Sequence, residues 1–152
     1  MATVLLAEDD ADIRLLVTFK LKKAGHQVRA FGDGPSALAA ARENPPDLAV
    51  LDIMLPGMSG LEVCRELRKD PATAKIPVIL LTALAQEADV TAGFTAGADD
   101  YIVKPFSPRD FTMRVQAVLA RAQTGAQTPN DLIQPLPAQR ATSSTVAPAP
   151  RP

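Results

Sequence analysis

The sequence predicts an α/β protein, a parallel sheet covered by helices on both faces, and three observations carry that expectation. Short β-favouring runs alternate five times with longer segments whose apolar residues recur three or four positions apart. The first, third and fourth of these runs are nearly continuous apolar, as strands buried on both faces require. Gly and Pro stand at the junctions, where helices start and stop.

The first strand is Val4-Leu5-Leu6-Ala7, and the helix after it has Ile13, Leu16, Phe19 or Lys20, and Leu21 on its apolar face. Gly25 stops that helix. The second strand, Gln27-Val28-Arg29-Ala30, alternates polar and apolar residues and so suits a sheet edge. Gly34-Pro35-Ser36 opens a second helix marked by Ala37, Leu38 and Ala41, and Asn44-Pro45-Pro46 ends it. The third strand, Leu48 to Leu51, runs into Asp52 and a Pro/Gly loop, then a helix with Leu61, Cys64 and Leu67 on one face that Asp70-Pro71 closes. After the fourth strand, Val78 to Leu81, comes an Ala-rich segment from Ala83 to Phe94, the weakest helix because of its internal Gly93 and Thr91. The fifth strand is Tyr101-Ile102-Val103, and Ser107-Pro108 opens a last helix with Phe111, Val115, Val118 and Leu119.

At 152 residues the chain has room for one domain with a substantial core, expected over residues 1–122, and a tail. Gln123 to Pro152 holds six of the fourteen prolines and few large aliphatics, so residues 123–152 read as a flexible Pro/Ala-rich linker or tail. A net charge of -1 recommends neither nucleic acid nor an anionic membrane as partner, and no apolar run approaches the roughly 20 residues that cross a bilayer. Met1-Ala2-Thr3 enters a strand at once without a charged leader, and the single cysteine forms no internal disulfide; both fit a cytoplasmic protein. Cys64 reads as a small core hydrophobe, and the lone His26, in a helix-to-strand turn, as a surface residue.

In a parallel sheet the residues that follow the strands gather at one edge, where ligands bind. Here that edge receives Glu8-Asp9-Asp10, Asp52, Thr82 and Lys104-Pro105. Taken singly these have bland readings: the acids cap the first helix, Thr82 fills a strand end, Lys104 is a solvated charge. Taken together, clustered carboxylates repel unless a cation intervenes, and an all-oxygen ligand set suits a hard divalent metal such as Mg²⁺. Lys104 adds a positive partner for an anionic group on Asp52, and Thr82 adds a hydroxyl donor. Such parts suit formation of an aspartyl phosphate.

The linked motifs are Leu6-Ala7-Glu8-Asp9-Asp10 with Arg14 following, Leu51-Asp52-Ile53-Met54-Leu55-Pro56-Gly57-Met58-Ser59-Gly60, Pro77 to Ala83, and Gly97-Ala98-Asp99-Asp100-Tyr101-Ile102-Val103-Lys104-Pro105-Phe106. In this order and spacing, over about Thr3 to Arg121, the sequence resembles a receiver domain of the two-component response regulators. The resemblance implies a flavodoxin-like (βα)5 three-layer sandwich with strand order 2-1-3-4-5. It implies that Asp52 takes a phosphoryl group from a sensor histidine kinase or a phosphotransfer protein. Mg²⁺, for which Mn²⁺ can substitute, is then held by Asp9, Asp52 and the Met54 backbone carbonyl, with Glu8 acting through water. Thr82 hydrogen-bonds the phosphoryl oxygens with help from the Ala83 backbone, Lys104 pairs with the phosphate, and the Lys104-Pro105 bond is cis. Tyr101 swings inward as Thr82 is drawn to the phosphate, remodelling the face of the fourth helix, fifth strand and fifth helix, through which such regulators also form homodimers.

On this reading the chain is a signalling phosphoacceptor that assists its own phosphorylation and dephosphorylation, without membrane contact. It reaches nucleic acid only through an effector domain outside the chain, since no DNA-binding motif follows Ala122; it is either a stand-alone receiver with a tail or the front of a longer regulator. A haloacid-dehalogenase-like phosphatase is the alternative, but that class needs a second Asp two residues after the nucleophile, where this chain has Met54. A nucleotide or flavin binder lacks its Gly-rich loop after the first strand.

Overall fold

The computed structural model describes residues 2–83 and 87–124. Strands β1 (Thr3–Ala7), β2 (Gln27–Phe31), β3 (Leu48–Asp52), β4 (Val78–Thr82) and β5 (Asp100–Val103) alternate with helices α1 (Ala11–Lys23), α2 (Gly34–Glu43), α3 (Gly60–Lys69), α4 (Glu87–Thr95) and α5 (Pro108–Thr124). Every pairing is parallel and the strand order is β2-β1-β3-β4-β5, the expected topology. Residues 84–86 of the expected fourth-helix segment and the tail from 125 onward lie outside the described residues. Among the described residues no helix is long and apolar enough to cross a membrane.

Successive strand residues point to opposite faces, and the two faces are covered by different helices. Leu5, Ala49, Leu51, Val78 and Leu80 meet Ala37 and Leu38 of α2 and Val63, Cys64 and Leu67 of α3, with Val90 and Phe94 of α4 packed alongside. Val4, Leu6, Val50, Ile79, Leu81 and Ile102 meet Val17 and Leu21 of α1 and Phe111, Val115 and Val118 of α5. The central strands β1, β3 and β4 are buried almost throughout, whereas β2 is only partly covered, as its alternating sequence predicts for an edge.

One expected face is wrong. Leu16 and Phe19 of α1 are 44% and 58% exposed, and Leu15 is 72% exposed, while Val17 and Leu21 are buried with Ile13 beside them. The sheet meets the row 13-17-21, whose steps of four keep to one stripe of the helix. Apolar residues stand on several sides of α1, so spacing alone did not single out that row.

Two helix starts fix the edge that matters. Asp10 caps α1 by accepting from Asp12 N at 2.9 Å and Ile13 N at 3.1 Å. Ser59 caps α3 in a reciprocal pair, its hydroxyl taking Glu62 N–H while the Glu62 carboxylate takes Ser59 N–H at 2.9 Å. Gly60 follows and lies so close to β3 that a Cβ on it would stand 2.3 Å from the Asp52 carbonyl oxygen. Its own N–H donates to Ile53 O at 3.0 Å, so the loop 53–59 returns to the strand end it left. Gly60→Ala is expected to destabilise the domain by about 1–3 kcal/mol, the usual cost of forcing atoms into a packed site, read as a lower urea midpoint at unchanged slope.

Candidate functional site

The carboxyl edge of the sheet brings together the residues that the strand ends deliver. Glu8 follows β1 and is wholly buried, Asp9 beside it is exposed, and Asp52 closes β3 with 3% of its surface exposed. One carboxylate oxygen from each of the three lies within 4.8 Å of the others. Lys104, just past β5, reaches between two of them, its Nζ donating to Glu8 Oε1 and to Asp52 Oδ2 at 2.5 Å each. The other Asp52 oxygen accepts from Met54 N at 2.8 Å, and the other Glu8 oxygen from Asp10 N at 3.2 Å. Lys104 is set in place from its backbone, whose N–H donates to Thr82 O at 2.7 Å, and the Lys104-Pro105 bond is cis as the resemblance implies.

Two acids around one ammonium in a dry edge leave an excess of negative charge. Burial pushes the Glu8 carboxyl up to about 7, the hydrogen bond with Asp52 adds to the rise, and the bonds from Lys104 and Asp10 N oppose it. Burial acts to lower Lys104, yet its bonds to Asp52 and Glu8 outweigh that and hold the ammonium above its ordinary range. A proton on Glu8 therefore occupies the place that a second positive charge would otherwise fill. Three oxygen donors with no His or Cys among them fit a hard divalent cation.

The remaining expected residues surround this group. Thr82 is the last residue of β4 rather than a loop residue after it, and it is fully buried; Ala83 next to it is exposed. Met54 turns its side chain outward, 66% exposed, while its backbone N–H holds Asp52. Tyr101 lies inward, 7% exposed, among the apolar residues under α2, α3 and α4. Its ring rests on Gly93 of α4, where a Cβ would come within 2.9 Å of the ring.

Three features escaped the sequence. Gly93 counted there only as a helix weakness, and the Tyr101 seat becomes visible only when α4 is laid against β5. The Arg14 guanidinium donates to the Glu8 carbonyl at 2.8 Å, although in the sequence Arg14 was only part of a motif. Arg114 of α5 bridges Asp100 at 3.0 Å and Asp110 at 3.1 Å, and of these only the Asp110 pairing, four residues away on one helix, has a spacing signal.

The response regulator receiver domain family matches residues 4–116. Over 118 residues the chain is 46% identical to the DNA-binding response regulator MtrA of Mycolicibacterium paratuberculosis, covering 78% of this chain and 51% of that protein. It is 46% identical over 123 residues to the transcriptional regulatory protein AfsQ1 of Streptomyces coelicolor, covering 81% and 53%. The chain thus spans about half the length of the curated relatives it matches. Among solved structures, the chemotaxis response regulator CheY4 of Vibrio cholerae superposes with a TM-score of 0.75 at 32% identity, over 78% of this chain and 98% of that one. The phosphatase alternative finds no support among these matches. On the family match and the similarity of these relatives, the chain belongs to the receiver domains of the two-component response regulators, a family of signalling proteins.

Proposed function

We propose that Asp52 is a phosphoacceptor whose modification changes the α4-β5-α5 face, and that the donor is a phosphohistidine on a sensor histidine kinase or a phosphotransfer protein. The observation that carries this reading is Lys104 on Asp52 Oδ2, with Glu8 and Asp9 alongside. A carboxylate oxygen of Asp52 attacks phosphorus, the bond from phosphorus to the donor imidazole nitrogen breaks, and its electron pair leaves with the ring. Lys104 already stands within reach of the new acyl phosphate and would exchange one anionic partner for another. The Thr82 hydroxyl, at the end of the next strand, donates to a phosphoryl oxygen, with the Ala83 backbone assisting. Asp9, Asp52 and the Met54 carbonyl would hold Mg²⁺ or Mn²⁺, with Glu8 contributing through water. The metal supplies positive charge for the transferring phosphoryl oxygens.

Phosphorylation converts the Asp52 carboxylate, with one negative charge, into an acyl phosphate with about two, which draws Thr82 toward the phosphoryl oxygens and opens space behind it. Tyr101, one strand over and paired in register with Leu80, is the ring beside that space. On this reading the inward position of Tyr101 in this structure is the one that the phosphorylated state favours. The face around it carries the Asp100–Arg114–Asp110 charges and serves as a homodimer surface. MtrA is named a DNA-binding regulator and AfsQ1 a transcriptional one, so contact with DNA falls to an effector domain outside this chain, in the cytoplasm.

Incubation with Mg²⁺ and a small phosphodonor is expected to add one phosphate to the wild-type chain by mass, and none to Asp52→Ala. Phosphate retained on that variant would move the acceptor elsewhere.

The pH dependence follows from Glu8, whose ordinary value is 4.5 and whose carboxyl in the fold sits at about 7. Because the folded value is the higher, Glu8 favours the metal-free fold fully below about pH 4.5 and loses that contribution as pH rises through about 7. Binding of Mg²⁺ displaces the proton, so calorimetric Mg²⁺ affinity is expected to climb through the same range and to flatten in Glu8→Gln. An affinity independent of pH in the wild type would contradict the assignment.

Gly93→Ala is expected to raise local helix propensity by up to about 1 kcal/mol and yet push the Tyr101 ring outward. Tyr101 is the sole Tyr and the chain has no Trp, so acrylamide quenching of its emission reads that one ring. Quenching should rise in the variant, and the mass change on dimerisation induced by phosphorylation should shrink.

A further inference from the structure

We propose that Arg14 is a positioning residue for the metal carboxylate Asp9, acting through the peptide backbone that carries it; this rests on reading the edge as a Mg²⁺ site. Asp9 is the exposed member of the carboxylate cluster and so the one with most freedom to lose. Its backbone is held from several sides. Arg14 Nη1 donates to Glu8 O at 2.8 Å, with a longer 3.5 Å approach to Asp9 O, so the guanidinium spans the two carbonyls on either side of the Asp9 residue's own N–H. Glu8 N donates to Phe31 O at 3.0 Å, which ties the same loop to the end of β2. Asp10 then closes it as the α1 cap, and Arg14 N returns to Asp10 O at 2.9 Å.

Room for the guanidinium comes from the next loop. Gly32 lies against it, and a Cβ there would stand 3.3 Å from Arg14 Nη1. Arg14 also differs from Lys104 in what it binds. Lys104 spends its charge on carboxylate oxygens of Glu8 and Asp52, whereas Arg14 takes carbonyls only and itself occupies no carboxylate oxygen of the cluster. Both approaches come from the single nitrogen Nη1, which the rigid guanidinium plane holds in place where a lysine ammonium would swing on a flexible stem.

Charge and position predict opposite signs. A guanidinium beside the loop repels a dication, so on charge alone its removal tightens Mg²⁺ binding. If Arg14 fixes the ligand, its removal loosens binding, by about 10-fold or more where partners of metal ligands have been removed.

The test is Mg²⁺ titration by calorimetry on the full chain, wild type against Arg14→Ala and Arg14→Lys, alongside thermal unfolding in EDTA. Expected are Mg²⁺ dissociation constants raised about 10-fold in Arg14→Ala and by less in Arg14→Lys, which keeps the charge and one donor. Melting of the metal-free variants should stay near wild type, since a merely structural role would shift melting and leave the metal constant alone. Arg14→Lys serves alone should Arg14→Ala fail to fold. Unchanged or tighter Mg²⁺ binding by either variant overturns the inference. A wild-type chain that binds no Mg²⁺ overturns instead the reading of the site, which separates the two failures.

Discussion

The placement of one ammonium between two buried carboxylates is the constraint on which this domain is organised. Glu8 and Lys104 are 96 positions apart in sequence and Asp52 and Lys104 are 52 apart, so the contact exists only when β1, β3 and β5 end at the same height. A parallel sheet achieves that without special devices, because every strand ends at the same side and each crossover helix returns the chain to the other. Such a group does not recommend itself for stability. Desolvating charges offsets much of their attraction, and a packed apolar trio would hold the edge at least as well. On the proposed function, its place in the fold is explained by what three carboxylates and one ammonium offer a phosphoryl group or a metal.

A short path of contacts links that edge to the Tyr101 ring. Lys104 N–H is bonded to Thr82 O, and Thr82 pairs with Val103 in the ladder between β4 and β5. Two residues back along the same ladder Leu80 faces Tyr101, whose ring lies on Gly93. On the proposed reading of Asp52, a charge change there has two routes toward α4, through the Thr82 side chain and through the Lys104 backbone, and both lead to one aromatic ring. Because the ring is bounded by a glycine, there is little slack: a single methyl at 93 fills the seat.

The parts of this arrangement that were legible in the sequence were those with a period or a terminus. Continuous apolar runs marked β1, β3 and β4, alternation marked β2 as an edge, and Pro or Gly marked the helix ends; from these the edge residues Glu8, Asp9, Asp52, Thr82 and Lys104 followed directly. What escaped depends on distance between elements. The α1 face is decided by which stripe the sheet meets, so Leu16 and Phe19 point outward despite their hydrophobicity. Gly93 scored as a defect because propensity counts only its own helix, while its value lies in the room it leaves for Tyr101. The donors of Arg14 go to backbone carbonyls, and no residue type in the sequence announces a carbonyl as a partner.

The carboxyl end of α4 is the anchored end of that helix. Just past the helix, Arg68 of α3 donates to Gly97 O from Nε at 3.1 Å and Nη2 at 2.7 Å, and pairs with Asp99 at 3.1 Å. Asp99 in turn accepts from Val78 N at 2.8 Å, at the start of β4. The Cys64 thiol, pushed up to about 11 by burial and so un-ionised, donates to Ala96 O at 3.3 Å. These bonds join α3, the α4–β5 turn and the amino end of β4 into one block, far from Thr82 at the carboxyl end of that strand. The carboxyl end of α4 is thus held by several hydrogen bonds that are buried or partly buried. Those bonds fix the carboxyl end of α4 against α3 and β4, while Tyr101 of β5 fills the room that Gly93 leaves along the helix.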